Sequence, residues 1–144
     1  MRNYWVENYD ITIKIYSLTS SEEQTPFFDF DNRIQIIHCG LNVPSAKLSD
    51  RIKLNLEIRS LLGKIKDAFI ITCVCDISIA VLLNKSKAKN CKVIVTEHNE
   101  YDAATNKRHK LEKFIYSRAD KLVILTKSDQ LKYEKYLSNV VHIP

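Results

Sequence analysis

The sequence predicts an α/β fold, with a mainly parallel sheet and helices on both of its faces. Three observations lead to this prediction. Short apolar segments, several of them rich in β-branched residues, alternate along the chain with segments of helical periodicity. Polar residues follow directly after several of the apolar segments, as they do at the ends of buried parallel strands. The chain has 144 residues, enough for one domain (1–144) with a substantial core.

Two strands are predicted before the first long helix. Ile11–Ser17 alternates apolar and polar residues, which is typical of a strand with one buried face. Arg33–Cys39 is the second strand, and Gly40 ends it. Tyr4–Tyr9 fits the end of a helix or a loop, while Ser20–Asp31 is a polar connection, and Pro44 and Ser45 mark a loop.

The first long helix is predicted to begin at Ser49, with Ser49 or Asp50 as its possible cap. Helical spacing is shared by the apolar residues Leu54, Ile58, Leu61, Leu62 and Ile65. The first half also alternates in the manner of a strand. The length of the whole segment and its lack of β-branched enrichment favour a helix.

The rest of the chain alternates regularly between strands and helices. The predicted strands are Ala68–Val74, Lys92–Thr96, Lys121–Leu125 and Val140–Ile143, and the predicted helices are Ile77–Lys87, Lys107–Ser117 and a segment that ends at Tyr136. Ala68–Val74 lacks polar alternation and is therefore expected to be buried. Asp76 can cap the helix that follows it, and Thr126 or Ser128 can cap the last helix.

Composition excludes several classes of protein. The chain is 45% hydrophobic and 27% charged, which is typical of a globular protein and not of a disordered one. The most apolar window, Ala68–Leu83, contains Asp76 and is shorter than the about twenty residues that span a bilayer. The net charge of +5 suits a nucleotide phosphate, an anionic membrane or nucleic acid without selecting one. Basic groups around Lys85–Lys92 and Lys107–Lys113 are best interpreted as solvated helix faces.

The four cysteines, Cys39, Cys73, Cys75 and Cys91, all lie in apolar, strand-like settings. Cys73 and Cys75 are two residues apart, but no second pair with metal-binding spacing accompanies them. This pattern indicates buried free thiols in a reducing cytoplasm.

The best candidate site is the polar segment Thr96–Asn99, which follows the apolar run Val93–Val95. In open parallel sheets, ligands bind beyond the carboxyl ends of the strands. His98 could exchange a proton with a ligand or donate a hydrogen bond to a sugar hydroxyl or phosphate. It could instead bond a backbone carbonyl. Glu97 could either raise the pKa of His98 or point the other way and cap the segment that follows.

Two other strand ends carry weaker signals. Thr126–Ser128 follows a strand and opens a helix, so its N–H groups could receive an anion, although a simple helix cap is the favoured interpretation. Cys75 and Asp76 occupy a third strand end of the same kind. The sequence contains no nucleophile elbow, no H-E-x-x-H and no glycine-rich phosphate loop.

Five segments in order resemble the N-terminal half of a retaining family 4 glycosyltransferase with the GT-B fold. They are Tyr9–Ile15, Phe28–Ile34, Val93–Asn99, Arg118–Thr126 and Val140–Pro144. Tyr116, Asp120, Asp129 and Tyr133 also stand where the family has such residues. The match covers nearly the whole chain.

The resemblance implies a Rossmann-like acceptor domain that faces a second, nucleotide-sugar-binding domain. It gives His98 the catalytic role of contacting the donor sugar, and it makes Glu97, Asn99 and Thr126 substrate-binding residues. The implied partners are a nucleotide-sugar and a sugar or lipid-linked acceptor, as in polysaccharide synthesis, with no metal, cofactor or nucleic acid. The implied location is the cytoplasm, with peripheral contact at the inner face of the plasma membrane.

The resemblance also has departures. The first strand, its glycine-rich loop and the whole C-terminal domain have no counterpart in this sequence, which predicts a fragment that is inactive alone. The alternative is a non-enzymatic α/β module that binds an anionic ligand or a protein partner through Thr126–Ser128 and the basic helices.

Overall fold

The computed structural model describes residues 4–9, 11–18, 29–40, 48–103 and 105–143. The chain divides into two compact units, Met1–Ile52 and Lys53–Pro144. Most of the predicted connection Ser20–Asp31 and the predicted loop at Pro44 and Ser45 lie outside the described residues.

The first unit contains helix α1 (Tyr4–Asn8) and strands β1 (Lys14–Ser17) and β2 (Gln35–His38). The two strands pair in parallel, with Lys14 opposite Gln35. Both strands were expected from the sequence, and both are shorter than predicted. Helix α2 (Leu48–Leu62) follows, so the helical interpretation of this segment is confirmed over its strand-like alternative.

The second unit is a four-stranded parallel sheet with its connecting helices. Its elements are β3 (Phe69–Thr72), α3 (Cys75–Leu83), β4 (Lys92–Glu97), α4 (Asn106–Tyr116), β5 (Lys121–Ile124), α5 (Lys127–Tyr133) and β6 (Val140–His142). The strands lie in the order β3-β4-β5-β6, and every pair is parallel. The chain is therefore an α/β protein with parallel sheets, as predicted, and is consistent with a Rossmann-like domain.

The two faces of this sheet differ in burial. Val93 and Val95 of β4 and Leu122 of β5 are fully buried. Helix α3 packs on the same face, since the hydroxyl oxygens of Thr72 and Ser78 lie 2.9 Å apart. On β3, by contrast, Phe69 is 75% exposed and Ile71 is 60% exposed. The expectation that β3 is buried throughout is therefore wrong, because alternate residues of a strand point to opposite faces. The expectation that the cysteines are buried is wrong as well, since Cys73 is exposed and Cys39, Cys75 and Cys91 are half-buried.

The start of α3 differs from the prediction. The helix begins at Cys75, one residue before the expected cap, and Val74 occupies the N-cap position without a side-chain hydrogen bond. Asp76 consequently lies in the first turn, where an acidic side chain favours the positive end of the helix dipole. The helix ends at Leu83 because Asn84 folds its side chain back to donate to the carbonyl of Ala80, 2.9 Å away.

Asp120 joins the start of β4 to the turn before β5. Its Oδ2 accepts hydrogen bonds from the Val93 amide at 2.8 Å and from Nζ of Lys85 at 2.6 Å, and Nζ of Lys92 lies 3.2 Å from Oδ1. Partial burial raises the pKa of Asp120, but the hydrogen bonds from Lys85, Val93 and Lys92 outweigh it and lower the pKa to about 2. Lys85 and Lys92, which were expected to be solvated, therefore form ion pairs with Asp120.

Candidate functional site

His98 is exposed immediately after the last residue of β4. Its Nε2 lies 3.1 Å from Oγ1 of Thr96. The Thr96 hydroxyl has one hydrogen, which it donates to the carbonyl of Thr72 at 3.1 Å. Its oxygen is therefore left to accept from an Nε2–H of His98, so that Nδ1 of the neutral ring remains an acceptor. The hydrogen bond to Thr96 therefore favours the neutral tautomer of His98 that carries its hydrogen on Nε2.

Glu97 points away from His98 and is only 5% exposed. One carboxylate oxygen, Oε1, accepts from the backbone N–H of Asn99 at 3.1 Å and from its side-chain amide at 2.8 Å. The other oxygen, Oε2, accepts from the hydroxyl of Tyr116 at 2.8 Å. Of the two roles that the sequence allowed for Glu97, the structure shows the second, in which it caps the residues that follow.

A second buried carboxylate lies close to Glu97. Glu112 of α4 is 1% exposed, and its Oε1 accepts from Nε of Arg108 at 2.6 Å. Its Oε2 lies 3.3 Å from Nδ1 of His109, close enough for an ion pair when the imidazole is protonated but not aligned for a hydrogen bond. The hydrogen bond that Arg108 donates to Glu112 raises the pKa of Arg108, so the guanidinium stays charged across the physiological range.

Cys75, Glu97 and Glu112 together resemble a metal-ligand set, because one ligand atom from each lies within 4.8 Å of the others. Their surroundings favour an internal network over a metal centre. Each carboxylate already accepts hydrogen bonds, from Tyr116 or Arg108. Burial raises the pKa of the Cys75 thiol, which keeps it protonated and a poor metal ligand at neutral pH. Burial also raises the pKa of Tyr116, so the phenol stays a hydrogen donor.

Aromatic rings pack beside these buried side chains, on the side of the turn that follows His98. Tyr101 stacks on His109 with 4.0 Å between ring centroids and meets the edge of Tyr133 at 5.0 Å. Nζ of Lys132 lies 5.5 Å from the centre of the Tyr101 ring and also pairs with Asp102 at 2.7 Å. These contacts hold the segment that follows Asn99 against α4 and α5.

Thr126 acts as the N-cap of α5. Its Oγ1 accepts from the N–H of Asp129 at 3.1 Å and donates to Oδ2 of Asp129 at 3.0 Å. The simple helix cap, which was the favoured interpretation of this segment, is therefore confirmed. Asp129 is 8% exposed and places a carboxylate at the helix start, which opposes the binding of an anion there.

The sheet brings the predicted site residues to one edge. Glu97 and Ile124 are Cα partners across β4 and β5, so that His98 and Thr126 both lie just beyond paired strand ends. Asn99 is exposed beside His98, whereas Glu97 lies beneath it. Sequence reasoning missed the ion pair between the partly exposed Arg108 and the buried Glu112, although four-residue spacing on a helix was an available signal.

One curated protein is similar to this chain at low identity. Over 124 residues, the chain is 29% identical to the amylovoran biosynthesis glycosyltransferase AmsD of Erwinia amylovora. The aligned region covers 85% of this chain and 32% of AmsD. The chain thus spans about a third of the length of this relative. No family model matches the sequence.

Proposed function

We propose that this chain is the acceptor-side part of a longer retaining glycosyltransferase with the GT-B fold, related to family 4. The intact enzyme moves a sugar from a nucleotide-sugar to a sugar or lipid-linked acceptor in polysaccharide synthesis, at the cytoplasmic face of the membrane. The chain alone does not catalyse sugar transfer, because the residues that bind the donor nucleotide are supplied by a further domain.

The observation that carries this proposal is the place of His98 within the region similar to AmsD. An exposed histidine follows the buried strand β4 of a parallel sheet, at the edge where such folds bind ligands. A glycosyltransferase relative that the chain spans for about a third of its length supports both the activity and the presence of further parts. Among the described strands β3 pairs with β4 alone, which agrees with the additional strand that the family resemblance implies.

The residues of the strand end have separate roles in the proposed enzyme. His98 contacts the donor sugar and supports the charge that develops as the glycosidic bond to the nucleotide breaks. Asn99 and Thr126 bind substrate hydroxyl groups from the same edge. Glu97 positions this segment from below through its hydrogen bonds to Asn99 and Tyr116.

Two experiments test the proposal. The first determines the DNA sequence on both sides of the region that encodes this chain. We expect it to encode a strand with a glycine-rich loop upstream and paired glutamates downstream. The second compares the purified 144-residue chain with the product of the longer reading frame in the turnover of a panel of nucleotide-sugars. We expect turnover only by the longer product. Turnover by the short chain, or a stable, folded product with no longer frame around it, would support a different function such as the binding module.

A further inference from the structure

The positive charge of the chain is concentrated at the amino-terminal edge of the sheet in the second unit. Residues 63–67, 84–92 and 117–121 lead into or begin β3, β4 and β5, and these three stretches are called the lysine edge. They contain eight of the 22 lysine and arginine residues but only two of the 17 acidic residues, a charge of +6. The other fourteen basic and fifteen acidic residues leave −1 for the rest of the chain. A surface of a single sign attracts partners of the opposite charge.

Both acidic residues of the lysine edge already have partners. Asp120 pairs with Nζ of Lys85 at 2.6 Å and with Nζ of Lys92 at 3.2 Å. Oδ1 of Asp67 accepts a hydrogen bond from the side-chain amide of Asn90 at 2.7 Å. Five exposed lysines of the lysine edge consequently form no ion pair with any residue that the structure describes, namely Lys64, Lys66, Lys87, Lys89 and Lys121.

Lys66 and Lys89 lie directly opposite each other. They are partners in a parallel β-bridge between the stretches that precede β3 and β4. Neighbouring strands are about 4.8 Å apart, and like charges in directly opposed positions are destabilising. Backbone hydrogen bonds hold the arrangement, from the N–H of Asp67 to the carbonyl of Lys89 at 3.0 Å and from the N–H of Lys89 to the carbonyl of Ile65 at 3.3 Å. The fold therefore maintains a repulsion that an anionic group placed between the two lysines would remove.

The composition of the lysine edge favours carboxylates over the other common polyanions. The three stretches contain no aromatic residue, whereas proteins that bind single-stranded nucleic acid stack the bases on aromatic rings. Seven of the eight cations are lysines, although the bidentate guanidinium fork of arginine is the group that best matches phosphate. The one large apolar residue, Ile65, is half-buried, so the edge offers no exposed apolar side chain to a bilayer. A flexible protein segment rich in aspartate and glutamate requires only the ammonium groups that are present.

We propose that the lysine edge binds an acidic segment of a partner protein, with a carboxylate placed between Lys66 and Lys89. This goes beyond the proposed function, because the amino-terminal edge lies at the opposite end of the strands from His98 and Thr126. A partner bound there leaves the candidate site open. Each contact is an exposed ion pair and is weak alone, so the affinity comes from several contacts together and falls with salt.

The test is fluorescence anisotropy of a labelled peptide of about ten glutamates, titrated with the 144-residue chain at increasing salt. We expect binding that weakens as salt increases. A labelled oligothymidylate of similar charge should bind more weakly, and vesicles of equal parts phosphatidylcholine and phosphatidylglycerol should bind more weakly than the peptide. Lys66→Glu should lower the affinity for the peptide about 5-fold, from the loss of one favourable contact and the gain of one unfavourable contact.

A matched control and a stability measurement separate this edge from general charge and from misfolding. Lys110→Glu makes the same charge change at an exposed position on α4 and should lower the affinity less than about 2-fold. Lys66→Glu should unfold at no lower urea concentration than the unaltered chain, because it replaces repulsion from Lys89 by attraction. Its loss of binding then reports on charge and not on folding.

Three results would overturn the proposal. They are no binding of the peptide, equal losses in Lys66→Glu and Lys110→Glu, and tighter binding of the oligonucleotide or the vesicles than of the peptide. None of them affects the turnover assay of the longer product, so failure here and failure of the proposed function are distinguishable.

Discussion

The hydroxyl of Tyr116 donates a hydrogen bond to Oε2 of Glu97 across 2.8 Å, in a region closed to solvent. This bond joins the middle of the site, at the end of β4, to the last residue of α4. Glu97 in turn accepts hydrogen bonds from the backbone N–H and from the side-chain amide of Asn99. One buried carboxylate therefore anchors the segment that carries His98. The geometry of the candidate site thus depends on a side chain 19 residues further along the chain.

Tyr116→Phe should destabilise the protein by about 1–3 kcal/mol, because a buried carboxylate oxygen loses its donor while the ring still fills its space. Urea denaturation measures the change. Tyr4→Phe is the control, since Tyr4 is 51% exposed, and it should alter the free energy of unfolding by less than about 0.5 kcal/mol. Equal effects of the two substitutions would contradict the anchoring role of Tyr116.

Thr96→Val should change the tautomer of His98. In the unaltered chain Thr96 accepts from Nε2–H, which favours hydrogen on that nitrogen. Valine keeps the shape and removes the acceptor, so the ring should become a mixture of its two neutral forms. Nitrogen-15 NMR of the imidazole at a pH where it is neutral distinguishes the tautomers. The same spectrum in both proteins would show that Thr96 does not orient His98.

The replacement of isoleucine by valine should destabilise the protein more on β5 than on β3. Ile124 on β5 is 2% exposed, and Ile124→Val should destabilise the protein by about 0.5–1.5 kcal/mol through lost packing. Ile71 on β3 is 60% exposed, and Ile71→Val should cost less than about 0.5 kcal/mol. Chemical denaturation compares them. A larger loss for Ile71 would mean that the open face of β3 is covered in solution.

Asp120→Asn should destabilise the protein at neutral pH by about 1–3 kcal/mol, because three donors lose a charged acceptor. The folded protein holds the pKa of Asp120 at about 2, below its usual range. The contribution of the ionised Asp120 to the free energy of unfolding is therefore complete above about pH 4 and is lost as the pH falls through about 2. Thermal unfolding of both proteins across this range measures it. Glu100→Gln at an exposed position is the control, and a difference between Asp120→Asn and the unaltered chain that stays as large near pH 2 as at neutral pH would contradict this mechanism.

Hydrophobic periodicity was sufficient to predict the order of strands and helices, because each element of a parallel α/β fold has its own apolar pattern. The exposure of Ile71 could not be predicted, since a continuous apolar run does not reveal which strand lies at the edge of the sheet. For the candidate site, the strand end singled out His98, whose role stays a prediction, but the inward direction of Glu97 depends on the distant Tyr116. Contacts of this kind between separate elements cannot be inferred from local spacing.

The most direct test of the central claim is the rate of sugar transfer by the intact protein that contains this chain, with and without His98. His98→Ala should lower kcat by about 100-fold or more, because a group that stabilises developing charge is lost. Lys121→Ala, at the opposite end of β5 and likewise exposed, should retain the rate, and both variants should unfold at the same temperature as the unaltered protein. An unchanged rate in His98→Ala would contradict the role of this strand end in catalysis.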